Sequence, residues 1–231
     1  MLQPILTTKE RRQVYLWYLR VRTMKKEFEV PTVLLVEHGS TDFSAPGDKD
    51  RIHGIKFDLP LTERGKREIE PAAKQLAEYQ IATLEHSPMK RSTQSAEIIG
   101  RHTGITPVPR DRLKPWDSGF ASGMTHGVAK DIIEYYVIHA NRAIRDGEPY
   151  GDWWDAYTDE MYDTFKRAKK TVGKAHVRGV HSSEITAAPA IIKGDPASVV
   201  DTKLPGPGKI SALMFRGRRW EFIPDWKGEV A

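Results

Sequence analysis

The hydrophobic positions of the chain recur with two different spacings that alternate along the sequence. The continuous apolar run at 32–36 is rich in β-branched residues, and such a run predicts a strand buried on both faces of a sheet. Further strands are predicted at 81–85, 105–112, 175–180, 210–216 and 219–223. Apolar positions that recur every three or four residues predict helices at 7–28, 61–79, 89–103, 127–142, 152–173 and 184–193.

This alternation of strands and helices predicts an α/β fold. We expect a mostly parallel sheet between two layers of helices, that is, a three-layer α/β/α sandwich. The main domain is expected to span residues 31–226. Within it, the segment at 113–173 is rich in aromatic and charged residues, and we interpret it as a helical cap inserted over the functional site. Residues 1–30 are interpreted as a separate N-terminal extension.

The N-terminal extension carries most of the net charge of the chain. Residues 1–30 hold seven basic and three acidic side chains, and the whole chain has a net charge of +5. The domain itself is therefore close to neutral, which argues against a nucleic-acid-binding surface. Val14, Trp17 and Val21 recur at helical spacing, so the extension is predicted to be a basic amphipathic helix. We expect it to dock on the domain; the main alternative is a protein partner or self-association.

Composition excludes several kinds of chemistry. The chain has no cysteine, which rules out disulfide bonds, a thiolate nucleophile and cysteine-ligated metal sites. It has no apolar run of about 18 residues or more, so no membrane span is predicted. The first residues lack the apolar stretch of a secretory signal, and we expect a cytoplasmic location.

Candidate chemistry lies where polar residues follow predicted strands. His38, Arg91 and His181 each come shortly after a different strand, and open α/β sheets place ligands at the carboxyl ends of their strands. A neutral imidazole can attack phosphorus and hold a phosphoryl group covalently, while an arginine and a second histidine neutralise the phosphoryl oxygens. This chemistry needs a carboxylic acid to protonate the leaving oxygen, and it requires no metal or other cofactor.

Five sequence motifs follow one another over about 32–224. They are Glu-His-Gly-Ser-Thr at 37–41, Pro-Leu-Thr-Glu-Arg-Gly at 60–65, Ser-Pro-Met-Lys-Arg-Ser-Thr-Gln-Ser-Ala-Glu at 87–97, Leu-Lys-Pro-Trp-Asp-Ser-Gly at 113–119, and a strand that ends at His181. In their order and spacing they resemble the motifs of the histidine phosphatase superfamily, the phosphoglycerate-mutase-like proteins. The resemblance implies the fold of that superfamily.

The resemblance also implies roles for individual residues. His38 matches the histidine that accepts the phosphoryl group, and Arg91 and His181 match residues that contact it. The implied substrate is a small phosphorylated molecule. Substrate contacts are expected at Glu37, Thr41, Ser44 and Ser182.

Two positions depart from the pattern of the superfamily. Glu37 stands where relatives have an arginine that grips the phosphate. Each unit-charge interaction at 4 Å is worth roughly 4 kcal/mol at an effective dielectric of about 20, so an anion there opposes an anionic substrate. Glu37 would also raise the pKa of His38 and hold it protonated. Pro115 replaces a glutamate, and Asp117 is our candidate proton donor; the alternative is an aspartate that orders its loop.

These observations support two functions. The first is a phosphomonoester hydrolase that works through a phosphohistidine on His38, with activity reduced by Glu37. The second is a catalytically disabled pseudophosphatase that serves as a binding or assembly module. A salt bridge between Glu37 and Arg91 that fills the site would favour the second function. A mutase is the least favoured, because it would need the glutamate that Pro115 displaces.

Overall fold

Six strands and four helices follow one another in the part of the chain that the structure describes. The structure is a computed structural model that describes residues 25–44, 51–128, 149–195, 198 and 205–228. The strands are β1 (Thr32–Glu37), β2 (Ile81–His86), β3 (Pro107–Pro109), β4 (Ala175–Val180), β5 (Ile210–Arg216) and β6 (Arg219–Ile223). The helices are α1 (Glu63–Ala77), α2 (Lys90–Thr103), α3 (Pro149–Lys170) and α4 (Ser182–Lys193), and short 3-10 turns lie at Asp111–Leu113 and Gly119–Ala121.

All six strands form one mixed sheet in the order β3-β2-β4-β1-β5-β6. Strand β4 pairs in parallel with both β1 and β2, and β2 pairs in parallel with β3, whereas β5 and β6 are antiparallel. Glu37 lies beside Val180, and His86 lies beside Gly179. The three central parallel strands therefore end at the same edge of the sheet. The predicted α/β fold with a mostly parallel sheet is confirmed.

Helices cover both faces of the sheet, because successive side chains of a strand point to opposite faces. Leu34 and Val36 share one buried cluster with Ile69 of α1 and Ile99 of α2. The opposite face of the sheet holds a second buried cluster with side chains of α3 and α4: Val33, Leu35, Trp154, Tyr157, Met161, Phe165, Ile185 and Ala188. Each large apolar side chain buried in this way contributes roughly 1.5–3 kcal/mol. The two clusters make the fold a three-layer α/β/α sandwich, as expected.

Helix α1 begins two residues after its predicted start at 61, and the predicted third strand is too long. Thr62 caps α1, since its Oγ1 accepts the N–H of Gly65 at 3.0 Å. The strand predicted at 105–112 is limited to β3 and is followed by a 3-10 turn. Pro107 and Pro109 have no N–H to donate to a neighbouring strand, which confines β3 to the edge of the sheet.

The end of the helix predicted at 7–28 belongs to the domain and is not helical. Lys26 and Phe28 form isolated bridges with Tyr79 and with Gly173. The buried ring of Phe28 stacks on Tyr79 and contacts Trp226, at centroid distances of 5.1 and 5.9 Å. Burial of Phe28 between these aromatic rings outweighs the helical spacing of the residues that precede it. The prediction was wrong for residues 25–28, and residues 1–24 lie outside the described part of the chain.

The segment predicted to be a cap, 113–173, is described at its two ends. Helix α3 places Trp154 and Tyr157 on the sheet, and it therefore forms part of one layer of the sandwich. Most of the helix predicted at 127–142 lies outside the described residues. Among the helices that the structure describes, none is long and apolar enough to span a membrane.

A buried network of charges fixes α3 to the sheet. The side chain of Glu85 on β2 is 1% exposed and accepts hydrogen bonds from Arg110 at 2.8 Å, from Arg167 at 2.8 Å and from Arg178 at 3.3 Å. Arg178 is fully buried on β4 and also pairs with Glu160 of α3. Burial alone would raise the pKa of Glu85, but the bonds from Arg167 and the charges of the other arginines lower this pKa to about 2.

We expect Glu85→Gln to lower the free energy of unfolding by about 3–5 kcal/mol, because it leaves buried arginine charge without its counter-ion. The pKa of Glu85 is lowered in the folded state, so its contribution is fully present above its unfolded pKa of about 4.3 and is lost as the pH falls towards 2. Urea denaturation at several pH values measures both effects.

Glu70→Gln is the matched control, since Glu70 forms a partly exposed pair with His102 at 2.8 Å. We expect that variant to change the free energy of unfolding by less than about 1 kcal/mol. Equal effects of the two substitutions would contradict a stabilising role for the buried network.

Candidate active site

His38 and His181 lie side by side because their strands are neighbours. His38 follows β1 and His181 follows β4, and the register of this parallel pair aligns the ends of the two strands. The two imidazole rings are 5.0 Å apart and nearly perpendicular. Both side chains are buried. The topology of the sheet thus brings together two histidines that are far apart in the sequence.

Arg91 joins the two histidines. It lies in the first turn of α2 and is 1% exposed. Its Nε–H is shared between His38 Nε2 and His181 Nδ1, each at 3.2 Å. Its two other nitrogens donate to the carbonyl oxygens of Gly54 and Phe57, each at 3.1 Å. The structure therefore brings together three of the residues that the sequence selected.

The contacts of Arg91 define which ring nitrogens carry protons. A guanidinium can only donate, so His38 Nε2 accepts, and the proton of His38 lies on Nδ1, 2.9 Å from the carbonyl oxygen of Gly39. By the same reasoning His181 carries its proton on Nε2. This buried N–H has no hydrogen-bond partner among the described residues. His38 thus has a lone pair on Nε2, and His181 has a donor that is ready for a ligand.

Both histidines are neutral. Burial, followed by the positive charge of Arg91, lowers the pKa of His38 to about 3. The same two causes lower the pKa of His181 well below its ordinary value. Our expectation that Glu37 raises the pKa of His38 and keeps it protonated was wrong, because the burial of the ring and the guanidinium beside it have the opposite effect.

Glu37 is the last residue of β1 and is buried at 8% exposure. The salt bridge with Arg91 that we considered is not formed between these two described residues, since the guanidinium of Arg91 donates to two imidazoles and two carbonyl oxygens. The guanidinium of Arg91 is therefore held by the two histidines and by the loop at 51–58.

Close backbone contacts fix the turn after His38. A Cβ atom on Gly65 would lie 2.0 Å from the carbonyl oxygen of Ser40, and one on Gly39 would lie 2.1 Å from the carbonyl oxygen of Gly65. No real Cβ atom fits at such distances. The glycines of the first two motifs thus let the start of α1 lie directly against the residue after His38.

Thr41 and Ser44 lie in the turn that follows. Ser44 Oγ accepts the N–H of Thr41 at 3.2 Å, and Thr41 Oγ1 lies 2.5 Å from His53 Nε2. Sequence reasoning missed His53, whose ring lies 5.8 Å from that of His38. It belongs to a stretch for which neither a strand nor a helix was predicted, and neither spacing nor a preceding strand distinguished it.

Asp117 and Ser182 are less directly connected to His38. Asp117 Oδ1 accepts the N–H of Gly119 at 2.9 Å, a contact that orders the loop of the fourth motif. Ser182 is the first residue of α4, immediately after His181, and is partly buried. None of the hydrogen bonds among the described residues joins either side chain to His38.

A second residue that the sequence did not reveal is Glu184, in the first turn of α4. Its Oε2 accepts the N–H of His181 at 3.3 Å and the hydroxyl of Ser183 at 2.8 Å, while Oε1 is buried without a partner among the described residues. Burial raises the pKa of Glu184 to about 7. A carboxyl group with that pKa is a possible proton donor near neutral pH. The sequence feature that could have identified Glu184 is a charged residue within a mostly apolar helix.

Family and sequence comparisons agree with the motifs. A model of the histidine phosphatase superfamily (branch 1) matches residues 33–223. The uncharacterized phosphatase PhoE of Bacillus subtilis is 33% identical over 92 residues, which cover 40% of this chain and 46% of PhoE. Phosphoserine phosphatase 1 of Hydrogenobacter thermophilus is 28% identical over 144 residues, which cover 62% of this chain and 65% of that protein. Each match spans less than two thirds of the relative.

Solved structures share the fold at lower sequence identity. Phosphoserine phosphatase from Entamoeba histolytica, in complex with 3-phosphoglyceric acid, matches with a TM-score of 0.65 and 19% identity, over 83% of this chain and 94% of that one. A mycobacterial glucosyl-3-phosphoglycerate phosphatase in complex with VO3 matches with a TM-score of 0.65 and 21% identity, over 85% of this chain and 99% of that one. At such identities the likeness concerns the fold.

In a titration from about pH 8 to about pH 5, the ring nitrogen resonances of His38 should show the neutral form throughout. Burial and Arg91 lower its pKa to about 3, and Arg91→Gln should raise this pKa because it removes the nearby positive charge. NMR of the labelled imidazoles measures both. Protonation of His38 near its ordinary pKa of about 6.5 would contradict the buried, arginine-bound arrangement.

Proposed function

Because the chain belongs to the histidine phosphatase superfamily, we propose that it is a phosphomonoester hydrolase that acts through a phosphohistidine intermediate on His38. The observation that carries this proposal is the neutral His38, whose Nε2 lone pair faces Arg91 and lies beside a free donor of His181. A nucleophile needs a lone pair, and a phosphoryl group needs donors for its oxygens. The site supplies both at one edge of the sheet.

In the first step, His38 Nε2 attacks phosphorus, and the bond to the ester oxygen breaks as the nitrogen–phosphorus bond forms. Two N–H groups would donate to the phosphoryl oxygens. One is the Nε–H of Arg91, which donates to the two imidazoles in the free protein, and the other is the Nε2–H of His181, which has no partner among the described residues. The leaving oxygen takes a proton from a carboxylic acid. In the second step, water attacks phosphorus, the nitrogen–phosphorus bond breaks, inorganic phosphate leaves, and the proton of the water returns to the carboxylate.

Two carboxyl groups are candidates for the proton donor. Asp117 is the donor proposed from the sequence, and its bond to Gly119 occupies one of its two oxygens. Glu184 is the second candidate, because its pKa is raised to about 7 and a proton is therefore available near neutral pH. Glu184 is buried beneath His181, whereas Asp117 is partly exposed.

We further propose a small phosphorylated substrate, contacts to it from Thr41, Ser44 and Ser182, and a reaction without metal. Two of the similar proteins are phosphoserine phosphatases, which is in keeping with a small phosphomonoester. In the described part of the chain, no group of three or more His, Asp or Glu side chains could hold a metal ion. We place the protein in the cytoplasm and propose that the part of the N-terminal extension before residue 25 binds a protein partner or another copy of the chain.

Glu37 supports a second function, that of a disabled phosphatase that serves as a binding or assembly module. Its carboxyl group is buried one residue before His38. If that group is ionised when a phosphate dianion binds, the repulsion is worth roughly 4 kcal/mol per unit charge at 4 Å, which corresponds to several hundredfold or more in rate. The neutral state of His38 and the hydrogen bonds of Arg91 to both histidines favour the first function.

Hydrolysis of an aryl phosphate between about pH 4 and pH 8 tests the proposal. We expect the native chain to turn over and His38→Ala to abolish turnover, since the imidazole nitrogen is the atom that forms the new bond. Glu37→Arg should raise the rate, because it replaces an anion by a cation beside the phosphoryl group. Trapping of phosphohistidine in an acid-free quench identifies the intermediate.

An inactive native chain that becomes active with Glu37→Arg would establish the disabled phosphatase instead. His102→Ala, a change on the outer surface of α2, is the control for histidine loss and should leave the rate unchanged. Activity that survives His38→Ala would contradict the covalent mechanism.

A further inference from the structure

Glu184 contacts the backbone of His181 from the first turn of α4. Its side chain is fully buried, and Oε2 accepts the backbone N–H of His181 at 3.3 Å and the hydroxyl of Ser183 at 2.8 Å. Oε1 is buried and has no hydrogen-bond partner among the described residues. A proton on Oε1 would leave both bonds to Oε2 in place, because a neutral carboxyl group still accepts through its other oxygen. Glu184 can therefore change its charge without moving.

The charge of Glu184 is coupled to that of Arg91. Burial lowers the pKa of Arg91 to about 10, and the negative charges of Glu184 and then Asp58 oppose this effect. Burial raises the pKa of Glu184 to about 7, and its hydrogen bonds and the charge of Arg91 oppose the rise. Ionised Glu184 is thus a counter-ion of Arg91, and both charge states of the carboxyl group are populated near neutral pH.

The other groups around Glu184 supply no second cation. Tyr157 of α3 donates its hydroxyl to the backbone carbonyl oxygen of Glu184 at 3.1 Å, and burial raises its pKa, so the phenol stays neutral. The two buried histidines at the strand ends are neutral as well. Arg178 of β4 is paired within the buried network that fixes α3, and Glu37 at the end of β1 is acidic. Among the described residues, Arg91 therefore carries the positive charge that Glu184 and an anionic ligand would share.

A phosphoryl group beside His38 and Arg91 would repel an ionised Glu184. A phosphomonoester carries close to two negative charges at neutral pH, and a like charge in the same buried site raises the pKa of a carboxyl group. The carboxyl group would then take up a proton from solvent as the anion binds, and would return it when the anion leaves. The charge of the ligand thus replaces the charge of Glu184 as the partner of the guanidinium.

We propose that Glu184 is a proton-linked counter-ion of Arg91, which balances the guanidinium in the free protein and becomes neutral when a phosphoryl group binds. The bond from the N–H of His181 holds the carboxyl group in place in both states. The inference rests on the proposed function, because it concerns the same site. It concerns the binding of the anion, and it is independent of which carboxyl group protonates the leaving oxygen.

Binding of inorganic sulfate to the full chain tests this role, because sulfate keeps its two negative charges across the neutral range of pH, whereas phosphate does not. Calorimetry in buffers with different heats of ionisation counts the protons that are taken up with the anion. We expect the native protein to take up about half a proton per bound sulfate near pH 7. Its affinity for sulfate should fall about tenfold between about pH 6 and about pH 8.5.

Glu184→Gln keeps an oxygen that can accept the N–H of His181, but it cannot ionise. We expect this variant to bind sulfate as the native protein does near pH 6, about tenfold more tightly than the native protein near pH 8.5, and without uptake of a proton. A merely structural role of Glu184 would instead weaken binding at every pH. Glu70→Gln, which removes a partly exposed carboxyl group of α1, is the matched control and should behave as the native protein does.

Proton uptake that persists in Glu184→Gln would overturn the inference, and its loss in Glu37→Gln instead would identify Glu37 as the group that titrates. Hydrolysis of an aryl phosphate by the same proteins separates this inference from the proposed function. Proton uptake through Glu184 in a chain that does not hydrolyse the ester would support the counter-ion and refute the hydrolase. Hydrolysis without proton-linked binding of sulfate would overturn the role of Glu184 alone, and the absence of both would refute both.

Discussion

The buried guanidinium of Arg91 organises the site. One N–H of this side chain is shared between His38 and His181, and its remaining donors meet the loop at 51–58. A buried arginine must satisfy all of its donors, so both strand ends and the loop are constrained together. Burial, together with the same charge, keeps the two imidazoles neutral. The position of Arg91 thus contributes both to the arrangement of the histidines and to their protonation state.

The rest of the fold places Arg91 within hydrogen-bonding distance of both histidines. Apolar clusters on both faces of the sheet hold the helices, and the parallel pairing of β4 with β1 and β2 aligns three strand ends. A separate buried network around Glu85 and Arg178 fixes α3 to β2 and β4. The domain therefore has two centres of buried charge. One is closed by salt bridges within the fold, whereas the other joins the Arg91 guanidinium to two neutral imidazoles and two backbone carbonyl oxygens.

The charge of Glu37 decides between the two functions, because this carboxyl group lies one residue before His38, where an anionic ligand would bind. The geometry supports a nucleophile at His38, since its lone pair and its neighbouring donors are in place. The carboxyl group one residue earlier opposes an anionic ligand if it is charged, and buried carboxyl groups tend to hold their protons.

The sequence by itself determined the α/β fold and most of the strands and helices, because burial imposes a periodicity that is visible in the residues. It also selected His38, Arg91 and His181 as candidate site residues, since each follows a strand within a motif of fixed spacing, and the structure brings the three side chains together. Only the tertiary structure decided which residues surround them. His53 and Glu184 gain their place from a loop and a helix that fold onto the strand ends, and the neutral state of His38 follows from burial and from Arg91. Contacts between segments that are distant in the sequence determine the protonation of these side chains, and the local spacing of residues does not reveal such contacts.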